Sequence, residues 1–72
     1  MTGPIHERIK TLRESRGIRQ FEFAARVEVD RATVWHWENR FSRPTIAQLT
    51  LIADVLGVTV SELIRGEDKV AA

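Results

Sequence analysis

Apolar residues recur at helical spacing in five blocks along the 72-residue chain, separated by short polar or glycine-containing breaks. Ile5, Ile9 and Leu12 form the first stripe, with His6, Glu7, Lys10 and Glu14 around the remaining surface. Pro4 suits a first helical position because its missing N–H would have no helical partner there, and residues 1–3 ahead of it are expected to be loose. Gly17 stops this helix, and Ile18 is expected to pack back beneath the turn as the apolar companion of a glycine C-cap. A second helix starts near Gln20 and turns Phe23, Ala24 and Val27 inward, leaving Phe21 outward. Ala24 matters by being small, since two helices joined by a short turn and crossing steeply need a near-absent side chain where their backbones meet. Glu28 and Val29 make that turn.

Asp30 is a good N-cap for a third helix, running over about residues 31–39. Val34 and Trp37 fall on one side of it; Ala32, Trp35, His36, Asn39 and Arg40 fan across the other. So short and polar a helix must be held by its neighbours, and its outer face offers donors, acceptors and ring faces to solvent. Residues 40–44 break the periodicity and read as a loop. Thr45 with Gln48 is a capping box for a fourth helix burying Ile46, Leu49, Ile52, Ala53 and Leu56 and ending at Gly57. Thr59 with Glu62 is a second such box, opening a short fifth helix with Val60, Leu63 and Ile64 on its apolar side. Residues 67–72 read as a short, charged, frayed tail after a domain spanning 1–66. The pattern predicts an all-α, compact five-helix domain without strands.

Length supports one small domain, which buries only about 60% of the surface its unfolded chain exposes. With no cysteine and only His6 and His36 as histidines, neither a disulfide framework nor a zinc site is indicated. No metal or cofactor is expected. No apolar run reaches the roughly 18 residues of a membrane span, and no signal-peptide core precedes the first helix, so a cytoplasmic, nucleoid-associated protein without membrane contact is expected. The acids are scattered, and neither a serine–histidine–acid grouping nor a glycine-rich phosphate loop appears, which argues against an enzyme. The net charge of +1 is unevenly shared: residues 1–43 carry nine Lys/Arg against six Asp/Glu, and residues 44–72 two against four. The positive half is the one holding the third helix, as phosphate contact would require.

Taken together, the segments Arg-Ile-Lys-Thr-Leu-Arg, Gly-Ile-Arg-Gln, Phe-Ala-Ala-Arg-Val, Thr-Val-Trp-His-Trp-Glu-Asn, Arg-Pro-Thr, Leu-Gly-Val and Val-Ser-Glu-Leu-Ile resemble the Cro and phage-repressor type of helix-turn-helix domain, the XRE-like family. The resemblance covers about Ile5 to Arg65. It implies a lambda-repressor-like bundle in which helices 2 and 3 form the helix-turn-helix, acting as a transcription regulator on double-stranded DNA. On that resemblance Arg31, Ala32 and His36, with Trp35 beside them, reach base edges in the major groove. Gln20 contacts a phosphate, as do Asn39 and Arg40 where the third helix ends; Thr33 on the flank is expected to add a phosphate hydrogen bond, and Arg19 and Arg43 to neutralise phosphates. The resemblance also sets Arg13 against Glu38 as a structural ion pair, since a carboxylate near the inner edge of the third helix needs a cation.

Two positions depart from the family pattern. Glu28 stands where glycine is usual in the inter-helix turn, which costs on the order of 1 kcal/mol if φ is positive, unless the turn is reshaped. Trp35 is a large aromatic where a small or polar residue is common. Exposed, it could lie on DNA, or join Phe21 in a patch for a protein partner, as in an antitoxin-like or anti-regulator subunit. Leu51 and Val55 lie opposite the core stripe of the fourth helix; with Ile64 they are expected to form a homodimer interface unless the last helix covers them.

Overall fold

The computed structural model describes the backbone of residues 4–71 and the side chains of residues 4–65, so the looseness expected of residues 1–3 lies outside the described residues. Five helices form within that span: α1 (Ile5–Ser15), α2 (Gln20–Arg26), α3 (Arg31–Glu38), α4 (Ile46–Leu56) and α5 (Val60–Ala71). Among the described residues no helix is long and apolar enough to cross a membrane.

The helix starts are fixed by side chains that satisfy otherwise unpaired N–H groups. Asp30 Oδ1 accepts from the Thr33 amide at 2.9 Å and from the Thr33 hydroxyl at 2.7 Å. Reciprocal capping boxes open α4, through Thr45 and Gln48, and α5, through Thr59 and Glu62. At α2 the Glu22 carboxylate accepts from the Arg19 amide at 3.0 Å. Pro4 takes the cap position of α1, one residue before the first helical turn.

The first four helices all end with one residue in the left-handed region: Gly17, Glu28, Arg40 and Gly57, at φ 67°, 62°, 66° and 72°. The residue after each returns an N–H to a carbonyl inside the helix: Ile18 to Arg13, Val29 to Ala24, Phe41 to His36 and Val58 to Ala53. Glycine meets this backbone at no steric cost, whereas Glu28 and Arg40 carry a Cβ that opposes it. The inter-helix turn therefore keeps its left-handed shape despite Glu28.

Inward stripes from all five helices meet in one core built on Trp37 and Phe23, with Ile5, Ile9, Val27, Val34, Ile52, Leu56 and Leu63 fully buried around them. Ala24 is buried where α2 packs on α3, consistent with the need for a small residue at a steep crossing. Polar side chains of α1 and of Arg16 at its C-cap tie the bundle together by donating to backbone carbonyls elsewhere. His6 Nδ1 donates to Trp37 at 2.7 Å, Arg13 Nη1 to Ile18 at 2.7 Å, and Arg16 Nε to Leu56 at 2.7 Å. Arg8, itself buried, donates to Leu63 at 3.1 Å and to Glu62 at 2.6 Å.

Two features differ from the sequence pattern. Ile46, assigned to the buried stripe of α4, is 84% exposed: as the first helical residue, it precedes the segment of α4 that faces the core. The backbone of residues 67–71 continues α5 past Gly66. One glycine costs a helix only about 1 kcal/mol, and no proline follows to stop the chain.

Candidate nucleic-acid interface

α2 and α3 are joined by the Glu28 turn, and α3 presents one face to the core and the other to solvent. Val34 and Trp37 are buried, while Arg31, Ala32, Trp35 and His36 are exposed together on the outer face, the four residues that the resemblance assigns to base edges. Arg31 and Trp35 are one helical turn apart, and with Ala32 they line an open concavity of about 280 Å³.

The Trp35 ring packs against two neighbouring rings. Its centroid lies 5.4 Å from that of Phe41 with the planes 17° apart, a stacked pair, and the His36 ring meets it edge-on at 5.7 Å. Phe41 reaches this position because Arg40 turns the chain through the left-handed region, after which the Phe41 amide donates to the His36 carbonyl at 2.9 Å. Trp35 remains 44% and Phe41 71% exposed, so the pair forms an aromatic surface beside the recognition face.

The groups flanking α3 are already partly committed. Gln20 is half-buried at the start of α2, its Nε2 donating to Glu38 Oε1 at 3.1 Å. Glu38 also accepts two hydrogen bonds from Arg13, Nε to Oε2 at 2.7 Å and Nη2 to Oε1 at 3.0 Å, in the fork geometry that suits a guanidinium and a carboxylate. The Glu38 side chain is 1% exposed and the pair is fully partnered. Thr33 spends its one hydroxyl proton on Asp30, which leaves that oxygen able only to accept, whereas a phosphate needs a donor. Asn39 is exposed and caps α3 by donating from Nδ2 to the Trp35 carbonyl at 2.9 Å. Arg19, Arg40 and Arg43 are exposed, with Arg40 Nη2 3.8 Å from Glu7 across solvent. The two hydrogen bonds from Thr33 hold the Asp30 carboxylate below the usual aspartate range, and those from Thr59 do the same for Glu62.

Other expected surfaces are less open. Leu51, Val55 and Ile64 are half-buried and pack against their own core. Phe21 is exposed at 58%, as its helical phase requires. Phe41 is the member of the aromatic surface that the sequence pattern missed. The left-handed turn at Arg40, which no glycine marks in the sequence, brings it there, as the turn at Gly17 does for Ile18.

Residues 9–63 match the helix-turn-helix family profile. No curated protein matches the chain in sequence. Among solved structures it is similar to the P22 c2 repressor in complex with a synthetic operator, at 26% identity and a TM-score of 0.84 over 90% of this chain and 98% of that one. It is also similar to SinR, the master regulator for biofilm formation, in complex with DNA, at 30% identity and 0.76 over 82% of this chain and 95% of that one. The structure of SinR protein with SinI protein matches at 27% identity and 0.81, covering 92% of this chain and 65% of that one. With more than half of its length matched and this bundle as its fold, the chain belongs to the helix-turn-helix family of the Cro and phage-repressor, or XRE-like, type.

Proposed function

We propose that the protein is a sequence-specific regulator of transcription that binds double-stranded DNA by inserting α3 into the major groove. The observation that carries this reading is the outer face of α3, where Arg31, Ala32, Trp35 and His36 are exposed together above a core-facing stripe of Val34 and Trp37. Arg31 is suited to pair with guanine O6 and N7, and His36 can donate to or accept from a base edge. Gln20 has a second Nε2 hydrogen for a phosphate oxygen while the first is held by Glu38. Arg19, Asn39, Arg40 and Arg43 flank the same face and neutralise or bond the backbone. The P22 c2 repressor bound to an operator and SinR bound to DNA, among its structural neighbours, support the same partner.

One recognition helix reads only a few base pairs, so two copies related by a two-fold axis, with their α3 helices about 34 Å apart, supply the missing discrimination. The parts of Leu51, Val55 and Ile64 not covered by their own core are the proposed contact. A cytoplasmic, nucleoid-associated location follows from this partner.

Selection of bound duplexes from a random pool, with the mass of the complex in solution, tests the reading. The expected outcome is an enriched, two-fold symmetric motif bound by two chains, with affinity falling steeply as salt rises. A pool that returns no enriched motif refutes it.

A second reading is favoured by the exposed Trp35–Phe41 stack and by SinR, which is seen with SinI as well as with DNA. Here Phe21, Trp35 and Phe41 dock a protein partner in an antitoxin-like or anti-regulator role. A complex that quenches or shifts Trp35 emission and is indifferent to salt, read in a Trp37→Phe background, would favour it over DNA binding.

A further inference from the structure

We propose that Glu7, on the first helix and outside the helix-turn-helix, limits how tightly the protein holds DNA by competing with phosphate for Arg40. This rests on the DNA-binding reading, in which Arg40 contacts the backbone, and adds a residue that opposes that contact.

Arg40 follows α3 at φ 66°, so its backbone is set by the turn that ends the recognition helix, and its side chain crosses to α1. There Nη2 lies 3.8 Å from Oε2 of Glu7, in the first turn of α1. That turn is itself tied to the end of α3. His6, the neighbour of Glu7, donates from Nδ1 to the Trp37 carbonyl at 2.7 Å, and further along α1 the Arg13 guanidinium grips Glu38. The carboxylate is therefore fixed beside a proposed phosphate contact by rigid elements, and docking on DNA does not carry it away.

A guanidinium takes a carboxylate or a phosphate by the same charge-assisted contacts, so the two anions are rivals for Arg40. When Arg40 turns to a phosphate, Glu7 is left without its cation beside a polyanion. When Arg40 stays, a phosphate contact is lost. Both weaken binding, and because a phosphate contact carries no sequence information, all duplexes are weakened alike. The pair is exposed, so its effect is a matter of a few-fold, enough to shorten residence on DNA without abolishing it. An acid in the first turn of α1 also complements the helix dipole, but that role alone would change stability and leave DNA binding as it is.

Affinities of the unaltered protein, Glu7→Gln, Arg40→Gln and the double variant, measured from low salt upward on the selected motif and on an unrelated duplex, test this. Glu7→Gln is expected to bind both duplexes about threefold more tightly. Its plot of log affinity against log salt should be steeper by up to about 0.9 per chain, because Arg40 then displaces a counterion from phosphate with no acid left behind to take one up. In the Arg40→Gln background the same change should give less than about 1.5-fold and no steepening. Both side chains are exposed, and Arg40→Gln keeps a Cβ at the left-handed position, so the four proteins share one fold, which thermal unfolding checks. An equal gain with and without Arg40 overturns the proposal and leaves plain repulsion by Glu7. Weaker binding by Glu7→Gln overturns it, and so does unchanged affinity, whatever happens to Tm; in each case the DNA reading stands. If the unaltered protein binds neither duplex, the DNA reading itself falls and the proposal falls with it.

Discussion

Gln20 at the first turn of α2 donates to the carboxylate of Glu38 at the last turn of α3, at 3.1 Å, and the oxygen it reaches also accepts from Arg13. The proposed phosphate contact is thus held by the same buried pair that holds the bundle together. Glu38→Ala leaves the Arg13 guanidinium buried without its counter-charge, which is expected to cost about 3–5 kcal/mol. For a domain this small that is a large share of the whole folding free energy. The urea midpoint of Glu38→Ala should fall accordingly, with Glu38→Gln losing less because it keeps an acceptor for Arg13.

Gln20→Ala removes the proposed phosphate donor, together with one hydrogen bond to Glu38, while leaving the Arg13–Glu38 pair in place. The side chain is half-buried and neutral, so its removal should lower affinity for all duplexes by a similar factor and leave the salt slope unchanged. Affinity for the selected motif and for an unrelated duplex, measured across salt, checks this. A loss confined to the selected motif would assign Gln20 to base reading instead.

Arg31→Ala should behave in the opposite way. An exposed arginine on the outer face of α3 that bridges one guanine contributes about 1–3 kcal/mol of discrimination at that base position. Repeating the duplex selection with the variant should return the same motif with one position relaxed. If every position is retained, Arg31 contacts only phosphate.

Much of this fold was readable in the chain itself, for a definite reason: α3, α4 and α5 each start at a capping side chain, and each inward stripe has its own period. Asp30, Thr45 and Thr59 cap where their side-chain chemistry requires, and Val34 and Trp37 are buried by phase alone. Periodicity could not place Ile46, since a position in the first turn can continue a stripe yet lie beyond the core it points toward. Nor could it show that Arg40 adopts a glycine conformation, and without that turn Phe41 read as a loop residue instead of half of an aromatic pair. The outer face of α3 was legible because whatever is not core on a short helix is exposed. The commitment of the Thr33 hydroxyl to Asp30 was not, because a hydroxyl's partner depends on a rotamer that sequence does not specify.

The two non-glycine residues at left-handed positions make a prediction about stability. At Glu28 and Arg40 replacement by glycine relieves the clash between Cβ and the backbone, offset in part by the greater freedom of glycine in the unfolded chain. Glu28→Gly is expected to stabilise by up to about 1 kcal/mol, a rise of several degrees in Tm for a domain of this size. Gly17→Ala and Gly57→Ala should do the reverse although both sites have open space, because the strain lies in φ. Thermal unfolding of the four variants reads these signs directly; a lower Tm for Glu28→Gly would mean that the Glu28 side chain contributes more than its backbone strain costs.

Capping by an ionised carboxylate makes the start of α3 sensitive to acid. Hydrogen bonds from the Thr33 side chain and amide hold the Asp30 carboxyl below its ordinary range, so folding favours the ionised form. The stability this contributes is complete above the ordinary aspartate range and is lost as pH falls through it toward the lower folded value. Glu62, lowered by its bonds from Thr59, adds the same dependence at the start of α5. Asp30→Asn keeps an acceptor of similar capping strength but cannot titrate there. Between neutral pH and pH 3 the unaltered protein should therefore lose more stability than Asp30→Asn, and amide exchange in the first turn of α3 should accelerate in the former alone. Equal acid sensitivity in the two proteins would show that the Asp30 charge has no part in holding the helix that carries the interface.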